Sequence, residues 1–190
     1  MASDTRHRLV RTTGRLLREQ GYAASGLNQI VAEAEAPKGS LYFHFPGGKE
    51  ELAAAAVDRF AERVTAHMTD ELARRPAAEA IAGFFDGYVR HMAATDFREG
   101  CAVATVALDA ASSHELLAEA TGRAIRTWVG LLGDALVAEG HNPDDAHRVA
   151  TLVIAAIEGT IVMAKGTRST EPFVAARDAL APLLTAPLRS

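Results

Sequence analysis

The stretch Pro37-Lys38-Gly39-Ser40-Leu41-Tyr42-Phe43-His44-Phe45, followed by Pro46-Gly47-Gly48-Lys49, decides how this chain is read. Pro37 suits the position just before or at a first helical turn, where a missing N–H is no loss. Gly39 and Ser40 leave the N–H groups of that turn open to a phosphate. Leu41 and Phe45 share one face at a spacing of four, which pins a short helix to a core, while Lys38, Ser40, Tyr42 and His44 carry hydrogen-bonding groups elsewhere on its surface. Just upstream, Ser25 is placed to cap a helix of about nine residues whose Leu27, Ile30, Val31 and Ala34 form an apolar face. Two short helices about a tight turn make a helix-turn-helix, in which the second helix enters the major groove and the first braces it.

Gly21-Tyr22, Ser25, Ile30-Val31, the Gly39 to Phe45 run and Gly48-Lys49-Glu50-Glu51-Leu52 follow one another in an order that resembles the TetR family of transcriptional regulators. Phe45-Pro46-Gly47-Gly48-Lys49, with Gly100-Cys101 later, is similar to the multidrug- and lincomycin-resistance type regulators within it. The resemblance implies a homodimeric repressor with three partners: a palindromic double-stranded DNA operator, a second copy of the chain and a small-molecule effector. It implies DNA contact through Ser25, Gln29, Pro37, Lys38, Gly39, Ser40, Tyr42, His44 and Lys49. One position departs from the family pattern. Ala34-Glu35-Ala36 stands where the turn usually has Gly, so either Glu35 is mildly strained or the turn is shifted. A carboxylate beside a DNA-facing surface also opposes binding.

The chain has 190 residues, 48% of them hydrophobic, and a mean hydropathy of +0.02, enough for a substantial core in one or two domains. Its formal charge of −4 does not favour a nucleic-acid binder as a whole. Residues 1–50 hold seven Lys/Arg and five Asp/Glu, net +2, and residues 51–190 hold thirteen and nineteen, net −6. A basic head on an acidic body confines DNA contact to one end. One cysteine, Cys101, excludes an internal disulfide and suits a reducing cytosol. No charged segment followed by an apolar run opens the chain, and the apolar stretch from Val149 to Ala164 is interrupted by Glu158 and falls short of a membrane span. The expectation is a cytoplasmic protein.

In chain order, Ser3 or Asp4 caps a first helix with Leu9, Thr13, Leu16 and Leu17 buried, which Gly21 ends. Arg8, Arg11, Arg15 and Arg18 line its other face, either as a solvated surface or as a phosphate-tracking one. A long fourth helix is expected from about Gly48 to Arg75, with Glu50 and Glu51 complementing its positive end. Lys49 opposes that preference, which makes it a better phosphate contact than a structural residue. Pro76 opens a fifth helix, residues 101–111 form a short sixth, and Ser112 with Glu115 makes a capping box for a seventh that stops at Gly140. Asn142-Pro143-Asp144-Asp145 starts an eighth, and the ninth runs from about Glu171, with Pro182 limiting it. The expectation is all-α, about nine helices, with a DNA-binding domain over residues 1–47 and an effector and dimerisation domain over 48–190.

The eighth helix is apolar almost all round, so both sides must be covered, most simply by a second copy. TetR-like proteins dimerise through the last two helices. The expected interface is Leu152, Ala156, Gly159, Thr160, Met163, Phe173, Leu180 and Leu184. The resemblance also implies an inducer cavity among helices four, five and seven, and the ligand-lining candidates are Phe60, Val64, Phe84, Phe85, Tyr88, Met92, Cys101, Thr105, Trp128 and Ile157. The aromatic and Met residues among them are equally readable as ordinary core.

Chemistry beyond that is thin. His141 and His147 are six apart and no His/Asp/Glu set has metal-ligand spacing, so no metal and no cofactor is expected. No phosphate loop, Gly-flanked serine or paired-carboxylate motif points to an enzyme. The leading expectation is a ligand-released repressor. The alternatives are a regulator that is constitutive or partner-controlled and, more distantly, an all-helical enzyme.

Overall fold

The computed structural model describes residues 2–37 and 39–185, with only the backbone for residues 2 and 3. Among the described residues there are nine helices and no strand: α1 Ala2–Ala24, α2 Leu27–Glu33, α3 Ser40–His44, α4 Gly48–Arg74, α5 Ala77–Ala94, α6 Ala102–Asp109, α7 Glu115–Ala138, α8 Pro143–Thr167 and α9 Glu171–Thr185. The all-α expectation holds.

The contacts fall into two units. One unit comprises the chain up to Arg63 with Cys101–Ala124, the other Val64–Gly100 with the chain from Ile125 onward. α6 packs along α1 and so groups with the head of the chain.

In the first unit Leu9, Leu17, Ile30, Leu41, Phe45, Leu52 and Val57 are buried and form the core on which α1, α2, α3 and the start of α4 rest. Three polar links tie in α6 and the start of α7. The Ala23 N–H donates to Asp109 Oδ2 at 2.8 Å, the Leu116 N–H to Glu50 Oε1 at 3.3 Å, and Arg123 to Asp58 Oδ1 at 2.8 Å. Gly21 interrupts α1 at φ 81, ψ 179, a conformation essentially restricted to glycine. A Cβ there would stand 2.9 Å from Asp109 Oδ2.

In the second unit α9 lies against both α5 and α8. Ile81, Phe85, Met92, Leu136, Val153 and Phe173 are buried there, and Tyr88 stacks on Phe173 with ring planes 3° apart. Asn142 caps α8 as expected, its Oδ1 accepting from the Asp144 N–H at 2.9 Å, with Pro143 in the first turn. By length and composition α8 is the one helix among the described residues able to cross a membrane, contrary to the reading of its apolar run as too short. It is a packed helix whose Val149, Val153, Ile157 and Ile161 are buried.

Three helix starts differ from expectation. Asp4 lies inside the first turn of α1, where it pairs with Arg8 at 2.8 Å. Ser112 does not cap α7, which begins three residues further on. Ser25 does not cap α2, whose N-cap is Gly26.

Candidate nucleic-acid interface and an apolar cavity

α2 ends in a paired turn: the Ala36 N–H donates to Val31 O and the Glu35 N–H to Ala32 O, both at 3.1 Å, with Glu35 left-handed at φ 49. This is the Schellman arrangement with Glu at the place glycine normally takes, at a strain of about 1 kcal/mol. The turn is therefore not shifted. Arg8 steadies it by donating to the Glu35 carbonyl at 3.3 Å.

α3 follows one further turn, in which both the Ser40 N–H, at 2.9 Å, and its hydroxyl, at 2.6 Å, donate to the Pro37 carbonyl. Leu41 and Phe45 point into the core at 1% exposure, and Arg6 lies 5.2 Å over the Phe45 ring. The opposite side presents Tyr42, 60% exposed, and Phe43, 76% exposed, with Pro37 and Gly39 exposed and His44 half-buried beside them. An open cleft between α2 and α3 is lined by Leu27, Asn28, Val31, Ala36 and Tyr42 among others. Sequence reasoning missed Phe43 and Asn28. Phe43 follows from the register, since a five-residue helix with Leu41 and Phe45 inward must turn residue 43 outward.

The remaining DNA-contact candidates are distributed differently. Lys38 lies outside the described residues. Ser25 is fully buried, and its hydroxyl donates to the Gly21 carbonyl at 2.6 Å, so it fastens the end of α1 instead of facing outward. Gln29 is half-buried in a side-chain chain, accepting from Gln20 and donating to Glu33, both at 2.9 Å. Lys49 folds back over the Tyr22 ring, 4.2 Å from its centroid, and donates to the Ala23 carbonyl at 3.4 Å. Burial there lowers the Lys49 ammonium below the ordinary lysine range, against the pull of Asp109, and raises the Tyr22 phenol. Two of the four arginines on this face of α1 are paired within their own unit: Arg8 with Asp4, and Arg15 with both Glu19 and Glu33. That pairing favours the solvated-surface reading of the stripe.

The second unit holds a small cavity of about 40 Å³ lined by Val64, Met68, Phe84, Tyr88, Trp128, Ile154, Ile157 and Glu158. Trp128 is oriented by its indole N–H donating to Thr65 Oγ1 at 3.1 Å, and His67 packs on Phe84 at 4.9 Å. Five of the ten ligand candidates, Val64, Phe84, Tyr88, Trp128 and Ile157, line it. Phe85 and Met92 are fully buried elsewhere in the core. Phe60 belongs to the first unit, in an arginine-rich groove with Arg18 6.0 Å from its ring. Cys101 and Thr105 also belong to the first unit, where the Thr105 hydroxyl donates to the Cys101 carbonyl at 2.7 Å. Met68, Ile154 and Glu158 are the lining residues missed, and for Glu158 its place in the middle of an apolar run was the signal.

Of the interface candidates, Leu152, Gly159 and Met163 are exposed and Ala156 is half-buried, forming with Val162 an uncovered apolar strip on α8. Thr160, Phe173, Leu180 and Leu184 are buried within the chain itself, so their packing is already satisfied.

Residues 9–56 match the family model for bacterial regulatory proteins of the tetR family, and residues 77–179 match that for the C-terminal domain of LmrA/YxaF-like transcriptional regulators. The HTH-type transcriptional regulator LmrA of Bacillus subtilis is 35% identical over 172 residues, 90% of this chain and 92% of that protein. The uncharacterized HTH-type regulator YxaF of the same organism is 32% identical over 173 residues, 90% of each chain. The crystal structure of a TetR transcriptional regulator from Chloroflexus aurantiacus superposes with a TM-score of 0.81 at 28% identity, covering 98% of this chain and 96% of that one. These relatives are regulators, not enzymes. With its helix-turn-helix, the order of the nine helices among its described residues and both family models in register, the chain belongs to the TetR family of DNA-binding transcriptional regulators, in the LmrA/YxaF-like group.

Proposed function

We propose that the chain is a homodimeric, cytoplasmic repressor that a small, mostly apolar ligand releases from a near-palindromic operator. The observation that carries this reading is the aromatic-lined cavity, because one of its walls is α4. That helix runs unbroken for 27 residues, from Lys49 in the first turn to Val64 and Met68 at the cavity. A ligand that displaces the middle of a continuous helix also moves its start.

At about 40 Å³ the cavity holds roughly one water, whereas ligand pockets run to about 300–1,000 Å³. A ligand therefore enters by moving side chains apart, and so has a reason to prefer one conformation over another. The same small volume favours a second reading, a regulator without a small-molecule effector. Dimerisation is supported by the uncovered strip of Leu152, Val162 and Met163, and two-fold symmetry places the recognition helices about one DNA turn apart.

The test begins with DNA recovered by the purified protein from fragmented genomic DNA, including the region upstream of its own gene. Ligand is then titrated with and without the selected operator. Coupling of about 1–3 kcal/mol, equal in both directions, is expected for an effector-controlled repressor. Equal ligand affinity with and without operator leaves the second reading.

A further inference from the structure

The groove beside Phe60 lies wholly within the first unit and holds about 350 Å³, at the lower end of the roughly 300–1,000 Å³ typical of small-ligand sites. Its described lining carries five arginines, Arg11, Arg15 and Arg18 on α1 and Arg59 and Arg63 on α4, against one acid, Glu33. Arg11 and Arg15 are four apart, Arg15 and Arg18 three, Arg59 and Arg63 four. Like charges at these spacings oppose a helix, so helix stability does not account for the pattern. Arg15 pairs with Glu33 and with Glu19, which neutralises the one acid of the lining. Among the described residues, Arg11, Arg59 and Arg63 have no carboxylate partner. Arg18 is held in place, its Nε donating to the Gly14 carbonyl at 3.4 Å and its guanidinium 6.0 Å from the Phe60 ring centroid. Gly14 and Ala56 meet where α1 passes α4, a Cβ on Gly14 standing 3.9 Å from the Ala56 carbonyl oxygen, and these small residues leave room between the two sets of arginines.

We propose that this groove binds a compact polyphosphate, either inorganic or the phosphate tail of a nucleotide, between the arginines of α1 and those of α4. Guanidinium forks match phosphate oxygens two by two, and linked phosphates carry several charges within reach of several arginines. On a convex, solvated face each arginine keeps its own water, whereas here five share one concave space with an aromatic ring. The pairing of Arg8 and Arg15 opposes a phosphate track along α1, but the groove draws its second set of cations from α4. A duplex is too wide to enter a space of this volume. The groove belongs to the first unit, so the proposal does not rest on the reading of the second unit's cavity as an effector site.

Inorganic triphosphate, orthophosphate and adenosine triphosphate are titrated calorimetrically into the full-length protein, free of DNA and magnesium, at fixed ionic strength. Triphosphate is expected to saturate one site per chain and to bind at least about tenfold tighter than orthophosphate, since each further charged contact is worth about that factor. Tighter binding of adenosine triphosphate than of triphosphate identifies a nucleotide as the ligand, and equal or weaker binding identifies the phosphate chain alone. Arg59→Gln combined with Arg63→Gln should weaken triphosphate binding at least about tenfold, while affinity for the selected operator and its salt dependence stay unchanged. Absence of saturable triphosphate binding overturns the proposal, and so does equal affinity for triphosphate and orthophosphate. Full triphosphate affinity in the double variant moves the site out of this groove and overturns it too. A salt dependence of operator binding lower by about two units in that variant assigns the two arginines to the DNA backbone instead. The wild-type titrations need no variant, so a double variant that failed to fold would not spare the proposal.

Discussion

α3 and α8 both leave large apolar side chains in the open, for opposite reasons. α3 has five residues, too few to form a helix unaided, and is held by two anchors, Leu41 and Phe45. What it exposes is aromatic: Tyr42, with its hydroxyl, and Phe43 beside a histidine. α8 has 25 residues and is well anchored along one side, while the other presents aliphatic and sulfur-containing groups interspersed with Ala155, Gly159 and Gly166. Flat rings beside polar groups match a polar partner with edges and grooves. An aliphatic seam with gaps between its side chains matches another helix like itself.

The largest expected effect tests the α8 side. Leu152→Asp combined with Met163→Asp should weaken self-association at least about 100-fold, because a charge buried without a partner loses about 3–5 kcal/mol. Helix content should be preserved, since both residues point away from the chain's own core. Sedimentation showing an intact dimer would move the seam off α8. On the α3 side, Tyr42→Ala and Phe43→Ala should each lower operator affinity by roughly tenfold to 100-fold, in line with about 1–3 kcal/mol per specific contact, without changing the melting temperature. Undiminished affinity in both would mean that the exposed rings are incidental.

Gly21→Ala probes the frame that sets α3. A methyl group in that backbone region, pressed against Asp109, should destabilise the fold by about 1–3 kcal/mol in denaturant titration. No loss would show that the end of α1 is free to rearrange. The smallest effect is expected for Lys49→Ala, a drop of about one unit in the salt dependence of DNA binding if the side chain swings off Tyr22 to meet a phosphate. An unchanged slope would mean that it stays on the ring. Burial disfavours its charged form in the folded state, so wild-type stability should rise relative to Lys49→Ala as pH climbs toward the ordinary lysine value of 10.5.

The helices were legible because each carries its own period and its own stops: Asn142-Pro143 opened α8, and Pro46-Gly47-Gly48 separated α3 from α4. Glu35 was legible too, since a turn that calls for glycine strains whatever replaces it. What the sequence could not show is where a side chain spends its hydrogen bonds. Ser25 has the chemistry of a helix cap, yet its hydroxyl goes back to Gly21, four residues earlier. Lys49 has the position of a phosphate ligand, yet an aromatic ring 27 residues upstream holds it in the structure described. Phe60 and Val64 are one turn apart on the same helix, yet belong to different units. Spacing alone does not say where along a long helix one set of neighbours gives way to another.

Asp109 reaches back 86 residues to hold Ala23. A DNA-binding head fastened by so distant a segment is expected to fold together with it. During synthesis the helix-turn-helix emerges first, but the partner of its end of α1 follows only 86 residues after Ala23. A fragment cut at residue 47 should accordingly be a poor DNA binder and a poor folder, because it lacks the long-range contacts that fasten the end of α1. Competence to bind DNA is thereby expected to await synthesis of the chain through α6.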